Sequence, residues 1–523
     1  MKRATKRLLA ITIVMMLLLS GCGGNTAPAS SDDSSSSTAS SSSASSSNDF
    51  VFAVGTEPTT FDAHFITDVN TARANVQIYE TLVRNVGTTI EPWLAESWTV
   101  SEDELTWTFK LREGVTFHDG TPFNAEAVKY NIERLKDPAI GAPRASTVDM
   151  ITRVEVVSEY EVALCTDDPY GPMLGQVSNY TMSMMSPTAL EKYGTDIALH
   201  PCGTGALMIK EWVPGSSLVM TKYDGYWGEK STIDTLTFKF VGEDSSRVMM
   251  LQSGDADVAP VAAAQIAQIE SDPSVNVQVE TGYRTIYLGM NCSRAPFDDV
   301  RVRQAVAYAI DKQAIIDHVL EGYAQYPSGI ESTVIPYSAQ DLDPYTYNVE
   351  KAKELLAEAG YADGLSIVFH TPEGRYPMDR MVAEVCQSML AEVGITAELQ
   401  VVEWGAYSAM TTEGKETQLF LLGKGSPAGD PDYTLDLCFG TGKGMNNTKY
   451  SDPEVDKWIL EQRQTTDPAV REEILYKIQE KVNDDCPQAV LYYEKQTFGC
   501  AADVDGFVIY PNEMIDLRHL TRQ

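Results

Sequence analysis

The 523-residue sequence is poor in the residue patterns that carry reaction chemistry. Its six histidines (64, 118, 200, 318, 370 and 519) are scattered, and there is no HExxH to place a metal-ligating pair on one helix face. There is no GxSxG: in Gly425-Ser426-Pro427-Ala428-Gly429 the serine stands one place early. Gly440-Thr441-Gly442-Lys443-Gly444 lacks the hydroxyl residue after lysine and the glycine spacing that cradle phosphates. Asp341 to Glu350 mixes acids and amides without the central glycine of a calcium loop. The acid pairs Asp298-Asp299 and Asp484-Asp485 read as solvated surface. No catalytic residues, metal site or cofactor are expected. Positive charge is also scarce, 40 Lys and Arg against 74 Asp and Glu, for a net charge of -34. That argues against nucleic acid and against anionic lipid head groups, which both select basic surfaces. The eight cysteines show no CxxC spacing, so neither a zinc site nor a disulfide framework is expected. They read as small buried apolar residues, with Cys486 and Cys500 left as one pair near enough in sequence to bridge.

What is present begins at the N-terminus. Lys2, Arg3, Lys6 and Arg7 precede an apolar run from Leu8 to Leu19, then Ser20-Gly21-Cys22. A charged head, a short apolar run and small residues make a secretory signal over residues 1–21, and the run falls short of the ~20 residues of a spanning helix. Leu19-Ser20-Gly21-Cys22 resembles a bacterial lipobox, which implies lipidation at Cys22 and an extracytoplasmic protein anchored to a membrane. Removing residues 1–21 takes away four cations and leaves a charge near -38. Residues 22–48 are dominated by serine and bury no apolar area, so they read as a flexible tether. A long serine tether on an acidic body fits the outer face of a Gram-positive membrane, with the periplasm as the alternative.

Beyond residue 48, strand and helix signals alternate, with no internal repeat. Phe50 to Val54, Thr106 to Leu111, Leu236 to Val241 and Ile395 to Val402 read as strands. Val302 to Ile310, Val349 to Ala359 and Met381 to Val393 read as helices. Asn124 caps a helix, Ser451 with Glu454 makes a capping box, and Asp467-Pro468 starts another helix. Interleaving of this kind predicts an α/β fold with substantial parallel sheet.

Several segments are similar to the dipeptide, oligopeptide and nickel branch (family 5) of the solute-binding proteins of bacterial ABC importers. They are Leu94-Ala95-Glu96-Ser97-Trp98, Thr106 to Val115, Phe117-His118-Asp119-Gly120-Thr121-Pro122, Gly203-Thr204-Gly205, Tyr226-Trp227-Gly228, Leu251 to Asp257, Val300 to Ala305, Ala309 to Lys312 and Tyr450 to Asp456. Their order and spacing span the body of the chain. The resemblance implies a two-lobe Venus-flytrap fold of the periplasmic-binding type, with a ligand enclosed between lobes. Lobe I is expected at 49–285 plus 488–523, with an extra subdomain near 85–190 inserted, and lobe II at 286–487. The implied function is capture of a peptide or peptide-like solute, delivered unchanged to a permease and its ATPase by a monomeric receptor. Glutathione, opines, oligosaccharides and chelated nickel are the alternative solutes, and an envelope-tethered hydrolase is the alternative class.

The resemblance also nominates site residues. Arg375, in Gly374-Arg375-Tyr376-Pro377, aligns with the arginine that holds a peptide carboxylate in dipeptide-binding relatives, and Tyr376 stands beside it. In the loop Leu422 to Asp432, Lys424 replaces a tryptophan of those relatives and Pro427 replaces the aspartate that pairs with the ligand's ammonium. Asp430 or Asp432 are candidates for that lost charge, and Asn446 and Asn447 are candidates for bonding backbone-like groups. Two cations and a missing anion point to an acidic ligand.

Overall fold

The computed structural model describes residues 48–87, 89–342, 345–415 and 417–523. The expected leader, Cys22 and all of the expected tether but Asn48 lie outside these residues. None of the helices among the described residues is long and apolar enough to cross a membrane.

One mixed sheet of eleven strands organises the chain. It begins with Ile395–Val401, Leu365–Thr371 and Leu419–Lys424, continues through Val275–Met290 and Gln488–Ala501, and ends with Val258–Pro260, Asp49–Val54, Thr235–Phe240, Ser217–Lys222 and Leu207–Val213. Ala324–Gln325 pairs with Gln488–Ala501 off this path. Pairing is parallel between Leu365–Thr371 and its two neighbours, and between Asp49–Val54 and its two neighbours. Between those blocks, Val275–Met290 and Gln488–Ala501 pair antiparallel with each other and carry the chain from one side to the other.

The apolar core is divided at that ribbon. Phe50, Phe52, Phe109, Phe238 and Leu517 belong to a core built from residues before 260 and after 497. Leu288, Val306, Phe369, Val382 and Leu491 belong to another, built from residues 286–492. A second, four-stranded sheet (Ala95–Val100, Thr106–Leu111, Glu161–Cys165, Arg153–Ser158) packs under the helix Ala125–Lys136 in the first half. Trp107, Phe109 and Leu111 alternate inward on Thr106–Leu111, as the period-2 pattern requires.

Most local signals hold. Asn124 Oδ1 accepts from Ala127 N, Gly360 follows the helix Val349–Glu358 with φ 92°, and Pro468 opens the helix to Asp485. One cap differs: Asp452, not Ser451, accepts from Glu454 N and Val455 N, because its shorter-spaced carboxylate reaches both first-turn amides. All seven described cysteines are unpaired. Cys486 and Cys500 flank and end one strand, which separates them by roughly 40 Å at ~3.3 Å per residue.

Two histidines are held neutral, His64 buried and His118 half-buried. Burial, with Arg134 beside it, lowers His64 to about 3, and burial lowers His118 to about 4. An unfolded chain protonates histidine near 6.5. Their folded values are depressed, so the stability they contribute is complete above that pH and is lost as pH falls toward 4. Urea unfolding should show a decline of about 1.4 kcal/mol per pH unit for each histidine across this window. His64→Gln and His118→Gln should each remove one proton's slope; an unchanged slope in both would refute the assignment.

Candidate functional site

The paired central strands are irregular where they cross. Thr281 faces Lys495 and Thr285 faces Tyr493, so four steps on one strand match two on the other. Gly282, Tyr283 and Arg284 lie opposite Glu494 alone, two residues in excess; a glycine inside a strand is a common mark of such a bulge. The bulge turns Tyr283 toward the first half, where its hydroxyl lies 2.6 Å from Gly87 O and 2.8 Å from Asn85 Oδ1. It turns Arg284 to a carboxylate pair. Arg284 Nε and Nη2 donate to Glu513 at 2.9 and 2.8 Å, and Nε lies 3.3 Å from Glu494.

Arg284 lines a cavity of about 540 Å³ bordered by both halves. Arg73, on the short helix Val69–Asn75, enters from the first half. Its guanidinium donates to Glu513 O at 2.9 Å and Gln496 Oε1 at 3.2 Å, and sits over the Phe498 ring. Arg375 enters from the second half and is exposed, its guanidinium 4.8 Å from the Trp404 ring centre and 5.1 Å from that of Tyr376. Aromatic faces hold a guanidinium without consuming its donors in hydrogen bonds. Among the described residues no carboxylate lies within ion-pair distance of Arg73 or Arg375. The loop that presents Arg375 is fixed by Asp379, whose carboxylate accepts from the amides of Gly374, Arg375 and Tyr376.

The cavity lining carries Arg73, Arg247, Arg284, Arg375 and Lys495 against Asp244, Glu494 and Glu513, an excess of cations in an acidic protein. Burial, with Glu513 close by, raises the Glu494 carboxyl above its ordinary value, although Arg284, Arg375 and Arg73 pull it down. Burial lowers Arg73 from its ordinary value, while Glu513 and Glu494 raise Arg284 against its own burial. The arrangement is a set of forked donors held ready. A larger cavity of about 720 Å³, lined by Asp62, Tyr130 and Arg134, lies wholly within residues 59–198 and does not join the halves.

Of the residues nominated from sequence, Arg375 and Tyr376 border the cavity between the halves. The others sit elsewhere. Lys424 is buried and pairs with Glu331 at 2.9 Å, each side chain 1% exposed, over the Phe439 ring. The expected spare cation is thus already neutralised. Asp430 accepts from both terminal nitrogens of Arg471 at 2.6 and 2.7 Å. Asp432 accepts from Arg463 at 2.7 and 3.0 Å and from Gln462, and burial raises its carboxyl. Both carboxylates are taken up in fastening the helices Pro453–Arg463 and Pro468–Asp485 to the start of Pro431–Phe439. Asn446 bonds its own loop, donating to Gly440 O and Tyr450 O, and Asn447 is buried beside it. Pro427 borders a separate gap of about 90 Å³ with Asn85, Tyr180 and Arg518 of the first half. Arg73, Arg284, Glu494 and Glu513 were not singled out from sequence. The signal for Arg284 was the glycine in Thr281-Gly282-Tyr283-Arg284; Arg73 had none, being one polar residue on a short helix.

Comparisons with known proteins bear on the family and the fold. Residues 89–446 match the bacterial extracellular solute-binding proteins, family 5 Middle. The glutathione-binding protein GsiB of Shigella dysenteriae is 32% identical over 483 residues, 89% of this chain and 92% of that one. Among solved structures, HbpA2 from Haemophilus parasuis superposes with a TM-score of 0.82 at 27% identity, over 91% of this chain and 100% of that one. The periplasmic binding protein DppA of Helicobacter pylori, in complex with peptide STSA, gives 0.76 at 28%, over 90% and 98%.

The buried pair makes its own prediction. Lys424→Met strands Glu331 as an uncompensated buried charge and should cost about 3–5 kcal/mol of stability. The double variant Lys424→Met/Glu331→Gln should recover most of that in chemical denaturation. A stable single variant would show that the pair does not hold this interior together.

Proposed function

Because the chain belongs to the bacterial extracellular solute-binding proteins of family 5, we propose that it captures a short, carboxylate-bearing peptide-like solute between its two lobes and hands it to an ABC importer. Membership makes it an extracytoplasmic binding protein of such an importer. The finer reading concerns the solute, the residues and the anchor. Lobe I is assigned to 49–285 plus 488–523, with the subdomain 85–190, and lobe II to 286–487. Lipid attachment at Cys22 anchors it to the membrane, with residues 22–48 as the tether, and it works as a monomer.

One observation carries the choice of solute: Arg73 and Arg375 face the 540 Å³ cavity from opposite lobes, with no carboxylate among the described residues within ion-pair distance of either. A guanidinium offers a planar fork that fits two carboxylate oxygens. A ligand carboxylate on Arg375, from lobe II, and a second acidic group toward Arg73 and Arg284, from lobe I and the hinge, would bridge the lobes and favour the closed state. The cavity lies in the size range of small-molecule sites, about 300–1,000 Å³. Glutathione, a tripeptide with two carboxylates, fits this chemistry, and the 32% identity to a glutathione-binding protein supports it. A neutral oligosaccharide would leave the guanidiniums unpaired.

Titration calorimetry of the intact chain with reduced glutathione is the direct test. Arg375→Ala should weaken binding ten- to a hundredfold, the loss of a charge-assisted hydrogen-bonding pair of about 1.5–3 kcal/mol. Arg375→Lys should fall between, keeping charge without the fork. Equal affinity in the parent and in Arg375→Ala would refute the assignment of this arginine.

A further inference from the structure

The lobes also touch away from the cavity, and the contact is made where side chains are missing. Gly171 N donates to Arg463 O at 2.7 Å, a backbone bond from the subdomain to lobe II. A Cβ on Gly171 would lie 2.1 Å from Thr465 O, a backbone atom that cannot rotate away. A Cβ on Gly175 would meet Asp430 Cβ at 3.1 Å and Ala428 O at 3.2 Å. Gly429, at φ +60°, faces Asn85 so closely that a Cβ would stand 1.9 Å from its Nδ2. Beside them, Arg144 Nη1 donates to Tyr433 Oη at 3.1 Å. Each of these contacts joins the segment 85–190 to the segment 426–465.

We propose that Gly171 and Gly175 are positioning residues for solute capture: they let the subdomain and lobe II come into backbone contact and so permit full closure, without touching the solute. This rests on the two-lobe capture reading above. The physical basis is steric. Neither glycine has positive φ, so neither is required by its own backbone conformation. Gly175 even sits within the helix Met173–Val177, where alanine is the better helix former. Both sites disfavour a side chain because of what faces them across the seam. A methyl group there leaves the open protein intact and props the closed one ajar. Closed-state contacts that fail to form speed ligand escape more than they slow encounter.

The test compares Gly171→Ala and Gly175→Ala with the parent and with Gly444→Ala, a site where a Cβ meets nothing within 4 Å. Spin labels at Ser158→Cys and Glu473→Cys, exposed positions on the two sides of the seam, read the distance between them with and without reduced glutathione. The parent and Gly444→Ala should populate a short-distance closed state, enlarged by glutathione. Gly171→Ala should lose it and bind glutathione at least tenfold more weakly, through a faster dissociation rate. Gly175→Ala, whose neighbours need yield only a few tenths of an ångström, should show a smaller loss. Melting temperatures without ligand should stay level, or rise for Gly175→Ala. A short distance that persists in Gly171→Ala, a parent that never shows it, or a lowered ligand-free melting temperature in both variants would each overturn the seam. A parent that closes spontaneously but ignores glutathione would refute the choice of solute and leave the seam standing.

Discussion

Everything in this molecule is hung on one two-stranded antiparallel ribbon. Val275–Met290 and Gln488–Ala501 are hydrogen-bonded to each other across the boundary between two separate cores. Because the two crossings pair as one ribbon, the lobes cannot twist freely about a single strand. They are left with bending about the irregular register near residues 281–285. A bulge gives up ladder bonds and strengthens local twist, so the sheet is softest there. The same bulge aims Arg284 at Glu494 and Glu513 and Tyr283 at the loop 85–87. The irregular crossing and the floor of the cavity are therefore one piece of chain.

Charge is distributed with a purpose that composition conceals. A net charge of -34 describes the surface, yet most buried arginines are consumed within a lobe by carboxylates of the same lobe. Arg134 with Asp62, Arg471 with Asp430 and Arg518 with Asp516 are all nearly dry pairs. Such pairs stabilise little in net terms, but breaking one leaves a costly unpaired charge, so they fix which helix sits where. Arg73 and Arg375 stand out against this background because backbone oxygen, amide oxygen and aromatic faces hold them instead. An acidic exterior with a locally cationic cavity would also draw the proposed anionic solute toward the cavity rather than the general surface.

The fold was more legible in the sequence than the site. Period-2 alternation at Thr106–Leu111, the Asn124 cap and the Asp467-Pro468 start are local signals, and local signals survive folding. The family segments carry the architecture because they are made of core aromatics and turn glycines, whose roles depend on the fold and not on the ligand. The cavity, by contrast, gathers residue 73, residue 284, residue 375 and residues 494 to 513, which nothing in their neighbourhoods marks as partners. Lys424 shows the limit clearly. Sequence gave its alignment to a ligand-contacting loop, but Glu331, ninety-three places earlier, decides that its charge is spent indoors. The charges of Asp430 and Asp432 are paired in the same way, by arginines on later helices.

Closure has to be nearly balanced without solute, or the receptor would stay shut or never shut. The seam meets that requirement by its poverty. Among the described residues its hydrogen bonds are one backbone bond and one arginine-to-tyrosine bond, beside close glycine contacts, each hydrogen bond adding only about 0.5–1.5 kcal/mol. Larger interdigitating side chains would make closure tighter and less reversible. A ligand shifts such an equilibrium only by its differential affinity for the two states. Under the proposed reading, contacts made from both lobes at once would supply that difference, since a carboxylate on Arg375 would reach Arg73 only when the lobes are together. Weak self-contact at the seam and strong shared contact at the cavity are thus two halves of one requirement. The first keeps the empty protein able to open, and the second makes the solute the deciding term.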